Sequence, residues 1–187
     1  MIRFSEERPP VSAEELAAAE ERLAEMGFRI PPSYRAFLTE RDWGRPVERD
    51  FTFRRGEELD QGVVKQFLGV APVPWPGMNL IDVAVALAVP GRVPAGVLPI
   101  ADDPFGDHVC LDGREGRDGP VLFWDHDEEE PEEPEDESNL YFVAPDLASF
   151  LDGLTELPPL PAELPRGRRL APGRSPLDWR RLLGRRR

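Results

Sequence analysis

The spacing of apolar residues changes from helical to alternating at Trp43-Gly44, and a chain that carries both periods folds helices against a sheet. Before the switch, Ser12 and Glu15 have the spacing of a capping box, in which each side chain answers the other residue's unpaired backbone N–H. Leu16, Ala19, Leu23 and Met26 then recur on one helical face, and Gly27 offers the left-handed conformation that ends a helix. Ile30-Pro31 opens a second helix, with Pro32 near its first turn and Tyr34, Phe37 and Leu38 facing inward.

After the switch, Phe51 and Phe53 alternate around Thr52, and Val63, Val64, Phe67 and Leu68 follow, as antiparallel strands require. Residues 79–89 fit both periods, but Asn79 and Asp82 have cap spacing and the alanines favour helix, so a helix is predicted there. Further strands are predicted at Val97–Ala101, His108–Asp112, Pro120–Trp124 and Leu140–Val143, with a last helix at Asp146–Leu154. This order describes an α+β domain with a mainly antiparallel twisted sheet, flanked by N-terminal helices and a C-terminal helix.

The domain is expected to span residues 1–157, with an acidic flexible insert at about 126–138, and residues 158–187 to form a proline-rich spacer and an arginine-rich tail. In the tail, Ser175-Pro176-Leu177-Asp178 has the pattern that caps a short helix through Trp179, Leu182 and Leu183. The net charge of −13 excludes a general nucleic-acid binder, which needs a basic face for phosphates. Of that charge, the insert from Asp125 to Glu137 holds −10 and the tail from Arg166 holds +8, leaving −11 on the remainder. The body is therefore acidic in its own right and favours a basic partner. One cysteine, Cys110, fits a reducing compartment. A charged N-terminus, MIRFSEERPP, and an apolar run from Leu80 that Asp82 interrupts argue against a signal peptide and a membrane span. A cytoplasmic location is expected.

Three stretches in order, IPPSYRAFLTERDWG, LPIADDPFGDHVCLD and GPVLFWDHD, followed by VAPDLASFLDGL, carry a resemblance. Together they resemble the SUKH superfamily, the domain of yeast cell-wall-assembly regulators and of many bacterial immunity proteins. The similarity covers roughly residues 11–155. The acidic insert and the tail depart from the family pattern. The resemblance implies an α+β fold and a protein-binding rather than a catalytic role.

The acid-rich stretch ADDPFGDHVCLD holds Asp102, Asp103 and Asp107 but lacks the alternating spacing, following glycine and terminal glutamate of a calcium loop. Pro104 and Gly106 make it a hairpin turn. His108, Cys110 and His126 lack paired zinc-ligand spacing, and Cys110 sits inside a predicted strand rather than in the setting of a nucleophile. Gly113 to Gly119 joins two strands and is read as a hairpin loop, not a phosphate loop. No catalytic residue, cofactor or metal is expected. The expected partner is a protein, a basic toxin of nuclease type neutralised by an immunity protein; the alternative is an intracellular regulatory or scaffolding domain with an unrelated client. The expected contacts are Asp102, Asp103, Asp107, Asp125 and Asp127, taken as exposed acids at neighbouring hairpin ends.

Overall fold

The computed structural model describes residues 2–72, 79–88, 92–114, 117–128 and 137–156. Met1–Leu157 forms one compact unit. The predicted spacer, tail and tail helix fall in residues 158–187, which lie outside the described residues.

The first helix, α1 (Ala13–Glu25), has the predicted capping box: Ser12 Oγ accepts the Glu15 N–H, and the Glu15 carboxylate accepts the Ser12 N–H. It ends as predicted at Gly27, with φ of 82°. The Gly27 and Phe28 N–H groups return to the Ala24 and Leu23 carbonyls, closing the helix C-terminus. Helix α2 (Pro32–Glu40) starts on two prolines and buries Tyr34, Phe37 and Leu38. The Tyr34 hydroxyl lies 2.7 Å from both the Leu68 and Ile100 carbonyl oxygens and pins the helix to the sheet.

The helix predicted at 79–89 is α3 (Leu80–Ala88), capped by the Asn79 side chain, which accepts the Asp82 N–H at 2.8 Å. Leu80, Val83, Ala84 and Leu87 are buried while Val85 is exposed, a helical stripe and not an alternation.

Seven antiparallel strands form the main sheet in the order β1 (Phe4–Glu7), β2 (Gly44–Pro46), β5 (Gln66–Phe67), β6 (Val97–Asp102), β7 (His108–Asp112), β8 (Val121–Trp124), β9 (Leu140–Ala144). Between β2 and β5 the chain forms a separate hairpin, β3 (Asp50–Arg55) with β4 (Glu58–Val63). Phe51 and Phe53 of β3 pack against Phe123, and Phe51 also meets Phe150 of α4 (Leu147–Gly153). These rings join the hairpin, the sheet and the last helix in one core.

Two elements differ from the sequence reading. Strands β1 and β2 were not predicted, because β1 carries one partly buried residue in four and β2 is three residues long and ends in proline. Beside them, Trp43 is half-buried, its ring between the Arg8 and Arg45 guanidinium groups at 5.6 and 5.7 Å. The chain is anchored at this corner by its neighbour, Asp42. That buried carboxylate accepts the Val70 and Ala71 N–H groups at 2.7 and 3.1 Å and faces Arg8 at 3.2 Å.

Candidate functional site

The β6–β7 turn is built on Asp103. Its Oδ1 accepts the backbone N–H groups of Phe105, Gly106 and Asp107 at 2.6, 2.8 and 2.9 Å, and its own N–H donates to the Asp107 carbonyl. Gly106 supplies the positive φ, 104°, that closes so tight a loop. The stretch is thus the predicted turn, and its first buried aspartate is the internal cap.

The next acid reaches outward to the following hairpin. Asp107 Oδ1 accepts the His126 N–H at 3.1 Å and lies 2.6 Å from His126 Nδ1, while His126 Nε2 lies 3.2 Å from Asp127. Asp125 is held by Arg55 of β3 at 2.6 Å and accepts the Asp127 N–H at 3.0 Å. Arg55 also donates to the Tyr141 hydroxyl at 3.0 Å, pairs with Glu128, and lies over the Tyr141 ring at 4.5 Å. One guanidinium therefore links the β3–β4 hairpin, the turn after β8, and β9.

Burial sets the protonation of this cluster. It pushes the Asp103 carboxyl up to about 7, with the Asp107 charge adding to the effect against three backbone donors. Burial opposes protonation of His126, but the hydrogen bond and charge of Asp107, with Asp127 and Asp125 behind it, outweigh that and raise its pKa. Asp102, the last residue of β6, is held separately by Lys65. Burial raises its pKa, against the bond to Lys65 Nζ at 2.9 Å.

The five aspartates do lie at neighbouring hairpin ends, and His126 brings Asp107, Asp125 and Asp127 together. Their expected exposure is corrected. Asp103, Asp107 and Asp125 are 5%, 0% and 1% exposed, Asp102 is mostly buried, and only Asp127 is exposed. The physical reason is local: in a compact turn the carboxylates are used by backbone N–H groups and by Arg55 before any partner can reach them. The acids left at the surface are Asp127, Glu128 and Glu137, and β9, which begins beside them, exposes Phe142. Sequence reasoning missed Arg55 and Phe142. The alternation in LYFVA signals that one of its aromatics faces out, but nothing in the sequence ties Arg55 to residues seventy positions away.

Asp107, Asp125 and His126 each offer a ligand atom within 4.8 Å of the others. Here Arg55, 2.6 Å from Asp125, already supplies the positive charge that an ion would bring, so these residues do not fit a metal. His108, Cys110 and His126 form no comparable group among the described residues. Cys110 is fully buried, and burial raises its thiol pKa, which makes it inert. Part of the acidic insert is folded: His126–Glu128 form a 3-10 turn, and Glu137 pairs with Arg114 at 2.6 Å. Residues 129–136 lie outside the described residues.

A profile of the SMI1 / KNR4 family (SUKH-1) matches residues 10–153. The chain belongs to this family. It is also similar to the SPbeta prophage-derived uncharacterized protein YokK of Bacillus subtilis (strain 168), at 25% identity over 114 residues. That stretch covers 61% of this chain and 52% of the relative, so the chain spans about half the length of the curated protein it matches. No helix among the described residues is long and apolar enough to cross a membrane.

Proposed function

We propose that this SUKH-1 family member is a non-enzymatic binding protein of the immunity type, which neutralises a basic, nuclease-type toxin by covering its cationic surface. The observation that carries the reading is the surface around the start of β9. There an exposed Phe142 lies on a sheet-edge strand that begins among Asp127, Glu128 and Glu137, on a chain of net charge −13. An apolar anchor bordered by charge is the arrangement that pairs buried contact with electrostatic steering.

Of the five aspartates first singled out, Asp127 is assigned to direct contact. Asp103, Asp107 and Asp125 hold the two turns that present it, and Asp102 is paired with Lys65 and is not assigned to contact. The absence of a role for Cys110 and the pairing of Asp125 with Arg55 favour binding over catalysis. The test is neutralisation: basic nuclease-type toxin domains, sought among the products of the genes flanking this chain's gene, are assayed with increasing amounts of the protein. Stoichiometric loss of nuclease activity supports the reading. Full activity with no complex formed favours a regulatory or scaffolding domain with another client.

A further inference from the structure

The main sheet ends in two edge strands, β1 and β9. An open edge offers its N–H and C=O groups to any extended chain, and folded proteins guard such edges with charge, proline or an irregular register. β1 is guarded in this way. Its Ser5, Glu6 and Glu7 are exposed, Glu6 and Glu7 pair with Arg45 and Arg41, and its register with β2 slips between Phe4 and Glu6.

β9 is not. Its five residues, LYFVA, carry no charge, and Phe142 at their centre is 56% exposed. Among the described residues β8 is its one sheet neighbour, and the pairing is regular from Leu140 to Phe142, slipping only beyond. The Asn139 C=O accepts the Asp125 N–H and so faces β8, and the Leu140 N–H turns away to the Glu137 carbonyl at 3.0 Å. Peptide groups alternate along a strand, so those of Tyr141 face β8 again, while the Leu140 C=O and both groups of Phe142 point outward. No hydrogen bond among the described residues takes up these three. On the opposite face Tyr141 meets the Phe53 ring at 5.4 Å and the Arg55 guanidinium at 4.5 Å, so the β3–β4 hairpin braces the strand and leaves the Phe142 side open.

Charge selects the occupant. β9 starts where the carboxylates of Asp107, Asp125, Asp127, Glu128 and Glu137 gather against Arg55, Arg114 and His126, which leaves this end of the edge acidic. A second copy of this chain would bring a further net charge of −13 to it. A strand with lysine or arginine at the end lying beside these acids is attracted instead. An antiparallel strand also answers the N–H and C=O of Phe142 with a single opposite residue.

We infer that the β9 edge is a docking site for one extended strand of a basic protein partner, added antiparallel to the sheet through the main chain of Leu140 and Phe142. An apolar side chain of that strand lies against Phe142, and its basic residues lie beside the start of β9. This rests on the reading of the chain as a binder of a basic toxin and adds how the toxin is gripped.

The test uses the full chain and a six-residue probe, acetyl-Thr-Val-Thr-Val-Lys-Lys amide, whose lysines an antiparallel pairing sets beside the acids. Two further probes are N-methylated, one at both valines and the other at both threonines. Each loses the N–H donors of one edge and keeps its charge and side chains. Binding is followed by NMR at the Phe142 amide. The expected result is a saturable shift and slowed hydrogen exchange at Phe142, with one methylated probe binding about tenfold more weakly than the other, because only one set of N–H groups faces β9. No saturable shift at Phe142 at millimolar probe, or equal binding of the two methylated probes, would overturn the inference. A concentration-dependent dimer that the probe does not dissociate would place a second copy on the edge and overturn it equally. The probe is not a toxin: its failure while a toxin is still neutralised removes only the strand pairing, and a bound probe with no toxin neutralised removes only the toxin.

Discussion

Asp107 Oδ1 lies 2.6 Å from His126 Nδ1 and also accepts the His126 backbone N–H, so one buried carboxylate ties the β6–β7 turn to the chain leaving β8. The same contact makes the acidic end sensitive to pH. Since the folded protein raises the His126 pKa, the stabilisation from this pair is complete below the ordinary histidine value of about 6.5 and is lost as pH rises through the folded value. His126 is about one third exposed, which keeps the effect near 0.5 to 1 kcal/mol. His126→Gln should therefore be less stable than the parent by about that amount at pH about 5.5, with the gap closing toward pH about 8.5 in urea denaturation. A gap independent of pH would assign the stabilisation to shape rather than charge.

Asp103 separates charge from hydrogen bonding. Removing its acceptor in Asp103→Ala strands three backbone N–H groups and should cost about 1 to 3 kcal/mol. Asp103→Asn keeps an acceptor and lacks a titrating proton. With the Asp103 pKa raised to about 7, its contribution to stability is full below about 3.9 and declines as pH rises through 7, so the parent should lose stability over that span relative to Asp103→Asn. Parallel stability curves for the two proteins would contradict the raised pKa.

Asp42, rather than the adjacent tryptophan, should hold the α2–β2 corner. Asp42→Ala breaks a part-buried ion pair and two backbone bonds and should cost about 2 to 4 kcal/mol. Trp43→Ala at a half-buried site should cost about 1 kcal/mol. Chemical denaturation that reversed this order would make Trp43 the anchor.

Most of the fold is legible in local pattern: the Ser12–Glu15 box, Gly27, the Asn79 cap and the His108–Asp112 strand all declare themselves within a few residues. What escaped is decided by partners distant in sequence. β1 is a strand because Glu6 pairs with Arg45, and Asp125 is buried because Arg55 reaches it. An aspartate beside proline and glycine looks the same in sequence whether its carboxylate meets solvent or caps a turn. The acid-rich loop was therefore visible as a turn but not as a buried one.

The central residues of the insert should be dispensable for folding, provided its ends are kept. Replacing residues 129–136 with a Gly/Ser linker retains Glu128 against Arg55 and Glu137 against Arg114, and should leave the thermal transition near that of the parent. Extending the replacement to Glu128 and Glu137 removes both pairs and should lower it. A large loss of cooperativity from the shorter replacement would show that residues 129–136 contribute to the core.

The central claim is the proposal that an acidic surface around Asp127, Glu128, Glu137 and Phe142 captures a basic toxin, and stopped-flow association with a basic toxin domain identified by the neutralisation assay tests it most directly. The Debye length falls from about 30 Å at 0.01 M salt to about 10 Å at 0.1 M, so association should slow markedly over that range while dissociation changes less. Replacing Asp127, Glu128 and Glu137 with Asn and Gln should slow association at low salt and flatten its salt dependence, and Phe142→Ala should instead speed dissociation. An association rate that ignores both salt and these three substitutions would contradict the account.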